Sequence, residues 1–224
     1  MFAVIFEVQP KAGRWDDYLA LAKLLKPEIE RIDGFIDNER FESRRTKGRL
    51  LSLSTWRDEK AVIRWRTLAI HHGVQEKGRF EIFADYHLRV GEITRDTAVP
   101  AGQSLEQQRL DETEVGAAKH VTISEVPPAA GGRPGSDDLA RALGVPDTGI
   151  GGVVDQEVWD SLYNPGKLLL LVSWRDAAAA GRWHPDVAAA GEPRHRHVRI
   201  IRDYGMADRR EAPQYYPPVA ARPG

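Results

Sequence analysis

The chain of 224 residues contains no cysteine, which excludes disulfide frameworks, thiolate metal centres, iron–sulfur clusters and cysteine nucleophiles. It also lacks an excess of charge: 32 Lys and Arg stand against 33 Asp and Glu, for a net charge of −1. That balance supplies no basic face for a phosphate backbone, so nucleic acid is not an expected partner. No apolar run approaches the roughly 18 residues that a membrane-spanning helix requires. The opening MFAVIFEVQP reads as a strand and not as a signal peptide, so a cytoplasmic protein without a membrane partner is expected.

What the sequence does contain is a repeat. Shifted by 118 residues against itself, the chain aligns 5–73 with 123–191 without a gap, with 25 identities in 69 positions, where amino-acid usage alone gives roughly 5. The densest block sets Trp56, Arg57 and Asp58 on Trp174, Arg175 and Asp176, and Arg64 and Trp65 on Arg182 and Trp183. After Gly73 the register is lost, and an eight-residue deletion realigns His87–Val90 with His197–Ile200. The organisation expected is a first domain over 1–96, a linker over 97–117, a second domain over 118–204, and a Pro- and Tyr-rich tail over 205–224. In that tail the pair Tyr215 and Tyr216 is expected to dock on the body. The stretch 127–138 of the second copy, rich in Pro and Gly, is expected to shorten or delay its first helix.

Within one copy, residues 3–8 read as a buried strand. Residues 14–32 read as a helix that buries Trp15, Leu19, Ala22, Leu25 and Ile29, kinks or breaks at Pro27 and stops at Gly34. Two strands joined across Thr46, Lys47 and Gly48 follow, then a helix capped by Asp58 with Ala61, Val62, Trp65, Leu68 and Ala69 on one side, and a last strand near 84–95. The order βαββαβ specifies an α+β fold, the ferredoxin-like unit with helices on one sheet face. The bare face needs a partner. Two tandem units in one chain therefore close an intramolecular dimeric α+β barrel.

The run TWRDEKAVIRWRTLAIHHGVQEKGRF, followed by a YHLRV strand, resembles the antibiotic biosynthesis monooxygenase family, a dimeric α+β-barrel family. Trp56, Trp65 and His71 carry the resemblance; the second copy keeps Trp174 and Trp183 but has Ala189 in place of the His. The resemblance implies a monooxygenase that needs no cofactor, with O2 and a small aromatic or polyketide-like molecule as substrates. His71 or His72 would be the base, Trp65 an apolar wall, and Arg40 or Arg44 the donor to an oxyanion. Phe83, Tyr86, Trp183 and His184 complete the expected pocket. A haem-degrading branch of the family implies an alternative cofactor, haem, or else a non-catalytic ligand-binding barrel. That branch places an Asn on the first strand and a His ten residues after the helix Trp, where this chain has Gln75.

The plainer readings are structural. Trp65 and Trp183 fall on the apolar sides of their helices, as core anchors do. His71 and His72 lie near a helix end, where imidazolium meets the C-terminal dipole. His195 and His197 share one strand face, a spacing able to hold a metal, although two ligands do not complete a site. Copy one, richer in His and aromatics beyond its second helix, is the expected active half, and either a monomer with an internal pseudo-dimer or a homodimer fits the repeat.

Overall fold

A computed structural model describes residues 1–128, 139–186 and 193–216. Residues 129–138, most of the stretch expected to shorten the second copy's first helix, lie outside the described residues, as do Ala189 and the chain beyond 216. In the first half, β1 (Phe2–Pro10), α1 (Trp15–Glu30), β2 (Phe35–Ser43), β3 (Leu50–Trp56), α2 (Glu59–Thr67), α3 (Ala69–Lys77), one π-helical turn (Gly78–Ile82) and β4 (Phe83–Asp96) succeed one another. The second half holds β5 (His120–Val126), α4 (Leu139–Ala142), β6 (Val153–Ser161), β7 (Leu168–Trp174), α5 (Ala177–Arg182) and β8 (Arg194–Gly205). The strands close a barrel in the order β1-β3-β2-β6-β7-β5-β8-β4. The fold is thus α+β, with two ferredoxin-like halves fused into one barrel.

Period-two alternation decides which side chains enter the barrel. On β1, Ala3 and Ile5 join Leu51, Leu53, Val121, Ile123, Leu169 and Leu171 inside, while Phe2 and Val8 pack under the helices. The interior also holds charge, arranged twice over. Glu7 receives Arg89 at 3.0 Å and Arg49 at 2.8 Å, and Glu125 receives Arg196 and Lys167. Each arginine then reaches across to the opposite half: Arg89 donates to Ser173 Oγ at 2.8 Å and Arg196 to Thr55 Oγ1 at 3.2 Å. Thr55 and Ser173 are repeat equivalents, so the buried network carries the pseudo-twofold of the fold. Burial alone would raise the Glu7 pKa, but Arg89, His87 and Arg49 pull it down to about 2.

Three sequence expectations need correction. Helix α1 runs across Pro27 to Glu30 without ending there. The second helix is not continuous: Leu68 takes extended backbone (φ −62°, ψ 127°) and divides α2 from α3. The realignment of His87 with His197 is three residues out, because Ile5 stands opposite Arg89 and its equivalent Ile123 opposite Arg196. His195 and His197 therefore correspond to Leu88 and Val90. Asp58 and Asp176 do cap their helices, each accepting a backbone N–H at 2.7 Å. Of the tail tyrosines, Tyr216 docks, its ring 5.2 Å from Arg79 and 5.0 Å from Arg209, whereas Tyr215 is exposed.

Candidate active site

The register of the first sheet lays two rows of side chains across five strands, on the face turned toward the helices. One row is Arg40, Ser52, Phe6, Leu88 and Tyr204; the next is Asn38, Ser54, Val4, Val90 and Arg202. These ten residues floor a cavity of about 180 Å³. Its roof comes from α1 (Tyr18, Ala22, Leu25), α2 (Val62, Trp65, Arg66) and α3 (His71, Val74, Gln75), with Phe83 at one wall. The break at Leu68 turns α3 back so that His71 meets Trp65 at the cavity and not along one helix face.

His71 lies flat on Trp65, with ring centroids 3.9 Å apart and planes 16° from parallel. Its Nδ1 donates to the Trp65 carbonyl at 2.9 Å. A carbonyl only accepts, so this bond fixes the proton on Nδ1 and leaves the lone pair on Nε2, with the Gln75 amide nitrogen 3.5 Å away. Burial disfavours the imidazolium and holds the His71 pKa at about 4. The ring is therefore neutral at pH 7 and able to accept a proton. Gln75 is itself held by Gln214 of the tail, at 2.9 Å.

Of the expected site residues, the structure brings His71, Trp65 and Phe83 together. His72 points away from the cavity, is exposed and stacks 6.4 Å from Tyr216. Tyr86 lies on the same sheet face beyond the end of the floor, 5.7 Å from Phe6 and 6.2 Å from Phe83, with its hydroxyl taken by Arg79 and Arg209. Arg44 lies beyond the end of β2 and outside the cavity, paired with Asp160 at 2.6 Å across the short β2–β6 seam. Trp183 belongs to the second half's core, 5.7 Å from Trp174, its N–H donated to the Leu143 carbonyl at 3.1 Å. His184 is exposed on that half.

Among the described residues, apolar side chains cover the equivalent position in the second half. Trp183, Leu139, Leu143 and Val145 pack over β7, and His195 and His197 stand where the first half has Leu88 and Val90. Their Nε2 atoms are 3.2 Å apart, and Ser124 Oγ is 2.9 Å from His195 Nδ1. Among the described residues no group of three His, Asp or Glu side chains is placed to hold a metal ion. The haem arrangement of the resemblance is not assembled either: the cavity-facing first-strand residues are Val4 and Phe6, and Gln75 occupies the histidine position.

Arg40, Asn38, Ser52 and Tyr18 line the cavity, and only Arg40 among them stands out in the sequence as a donor. The signal for the others is divergence between copies: on β3 the inward Leu51 and Leu53 match Leu169 and Leu171, while the outward Ser52 and Ser54 become Leu170 and Val172.

The family model described as antibiotic biosynthesis monooxygenase matches residues 1–77. A fungal protein, jasmonate monooxygenase ABM of Pyricularia oryzae (strain 70-15), is 42% identical over 224 residues, covering 98% of this chain and all of that protein. This chain belongs to the antibiotic biosynthesis monooxygenase family. Its function is monooxygenase-like and its substrates are small molecules, as that family implies. Two solved aldoxime dehydratases, one in complex with butyraldoxime, share the fold. Their TM-scores are 0.55 and 0.57 at 12% and 11% identity, covering 89% of this chain and 80% and 79% of theirs. No helix among the described residues is long and apolar enough to cross a membrane.

Proposed function

We propose that the chain is a monooxygenase for a small apolar carboxylic acid of the jasmonate class, acting in the first-half cavity. The observation that carries this reading is the asymmetry of the halves: one sheet is roofed by an open cavity with a neutral histidine on an aromatic ring, whereas among the described residues Trp183, Leu139, Leu143 and Val145 pack over its repeat equivalent. The lining is mostly apolar, from residues such as Val4, Phe6, Leu25, Val62 and Leu88, with a minority of polar and charged side chains, and suits a cyclopentanone acid bearing a hydrocarbon arm better than a wholly polar metabolite. The substrate class comes from the relative, which is named a jasmonate monooxygenase.

In this reading His71 Nε2 accepts the proton that leaves the substrate, and the Trp65 carbonyl holds the resulting imidazolium in place through Nδ1–H. Its pKa of about 4 describes the empty cavity; an oxyanion forming within about 4–6 Å favours the protonated ring. Trp65 closes the cavity against water. The chemistry needs no resident cofactor when a CH2 next to a carbonyl is oxidised to C=O, since O2 then leaves one oxygen atom in the product and one in water. Insertion of a hydroxyl would need two further electrons from an added reductant.

The test is incubation of the purified protein with jasmonic acid under 18O2, with and without a reductant, followed by mass spectrometry. One labelled oxygen in the product, lost in His71→Ala, is the expected outcome. An unlabelled product, or full turnover by His71→Ala, contradicts the reading. Turnover only with reductant would refute the cofactor-free course alone.

A further inference from the structure

Arg40 differs in what it faces from four other buried or half-buried arginines of this fold. Arg89, Arg194, Arg196 and Arg199 each hold a carboxylate: Glu7, Asp96, Glu125 and Glu92. Arg40 is half-buried and lines the cavity, and among the described residues no carboxylate comes within ion-pair distance of it. Its Nε is buried with no hydrogen-bond partner. Neutral phenols contact the rest of the guanidinium, Tyr163 at 3.2 Å and Tyr18 beside it. A cation withdrawn from water without an opposite charge is costly, and a planar guanidinium is shaped to accept one carboxylate through two parallel bonds.

The neighbour in the same row is Ser52. Asn38 Nδ2 donates to Ser52 Oγ at 3.0 Å and to the Leu53 carbonyl at 3.0 Å. The Ser52 oxygen thus acts as acceptor, and its own O–H is left to donate into the cavity. In the second half, where the described side chains form a buried apolar cluster, the equivalents of Arg40 and Ser52 are Val158 and Leu170. The charge and the hydroxyl accompany the cavity.

We infer that Arg40, assisted by Ser52, is the anchor for the carboxylate of the ligand, whose apolar body then lies along Phe6, Val4 and Leu88 under Trp65. This deepens the proposed function and rests on the cavity being the substrate site. Lys26, Arg66 and Arg202 also line the cavity, and Arg66 has an unpartnered Nε of its own; these three are the competitors that the experiment separates.

The experiment is calorimetric titration at pH 7.5 with decanoate and with 1-decanol, which share a chain and differ in charge. The wild-type protein should bind decanoate about tenfold or more tightly than the alcohol, as a charged hydrogen-bonding partner warrants. Arg40→Met should abolish that preference while leaving decanol binding unchanged, Ser52→Ala should reduce it severalfold, and Lys26→Met, Arg66→Met and Arg202→Met should each keep it. Unchanged decanol binding shows that the Arg40 variant is folded. The inference is overturned if Arg40→Met keeps the preference, if Lys26→Met, Arg66→Met or Arg202→Met abolishes it while Arg40→Met does not, or if the wild type binds decanoate no better than decanol or binds neither. Decanoate binding requires no turnover. An Arg40-dependent preference without jasmonate oxygenation would therefore fault the substrate reading alone, and jasmonate oxygenation without that preference would fault this inference alone.

Discussion

His71 is stacked on Trp65 at 3.9 Å and hydrogen-bonded to the same residue's backbone carbonyl at 2.9 Å, so one tryptophan sets both the plane and the tautomer of the imidazole. With a pKa held at about 4, the ring stays neutral from pH 8 down to about 5. The pH profile of kcat/KM should be flat across that span on the His71 side and fall only as pH approaches 4. His71→Ala should lower kcat by roughly 10²–10⁴-fold, the range for a positioned proton acceptor. A limb near pH 6.5 that disappears in His71→Ala would show an ordinary histidine instead.

The two repeated tryptophans should behave differently on substitution. Trp183 is 6% exposed and packs on Trp174 with its N–H satisfied. Trp183→Ala should cost about 3–5 kcal/mol in chemical denaturation, as large-to-small changes in cores do. Trp65 is half-buried over an open cavity, so Trp65→Ala should cost less stability and more activity. Equal losses of stability in the two variants would contradict the assignment of one half as packed and the other as open.

Acid should weaken the fold through the paired histidines of the second half. Burial holds His195 at about 3 and His197 at about 4, below the unfolded value of 6.5. The unfolded chain binds more protons between those values, so stability present above pH 6.5 is lost as pH falls toward 4. The Glu7 contribution, with a pKa drawn from 4.5 to about 2, is lost only at lower pH. A double variant His195→Leu, His197→Val, carrying the first half's residues, should lose less stability between pH 7 and 4.5 than the wild type in urea titrations. An identical loss would mean that these rings do not set it.

Arg44 is the sequence candidate with no place in the cavity. Its pair with Asp160 is exposed, and exposed pairs contribute about 0–1 kcal/mol. Arg44→Ala should leave kcat/KM for jasmonic acid unchanged and the unfolding free energy within that range. A tenfold loss of kcat/KM would return Arg44 to the site.

Much of this was legible in the sequence because a duplication writes its constraints twice. Leu51 and Leu53 recur as Leu169 and Leu171 because both sets fill one barrel, and Asp58 and Asp176 recur because both cap helices. Position within the cavity was less legible. Arg40 and Arg44 differ by an even number, so alternation puts them on one face, but β2 ends at Ser43 and Arg44 leaves the sheet. The His-x-Arg spelling of both last strands misled the realignment of His87 with His197, since their pairing contains register shifts that spelling does not reveal. The break at Leu68 carries no Gly or Pro at that residue, and the folding of α3 onto Trp65 had no local signal.

Ala22 and Ala140 are repeat equivalents, the first lining the cavity and the second packed against the closed core. The central claim, that oxygenation occurs in the first-half cavity, is tested most directly by comparing jasmonic acid turnover in Ala22→Phe and Ala140→Phe, with thermal unfolding recorded for each. The account predicts that Ala22→Phe blocks turnover while remaining folded, and that Ala140→Phe turns over like the wild type at whatever stability it retains. Full turnover by folded Ala22→Phe, or its loss in folded Ala140→Phe alone, would contradict it.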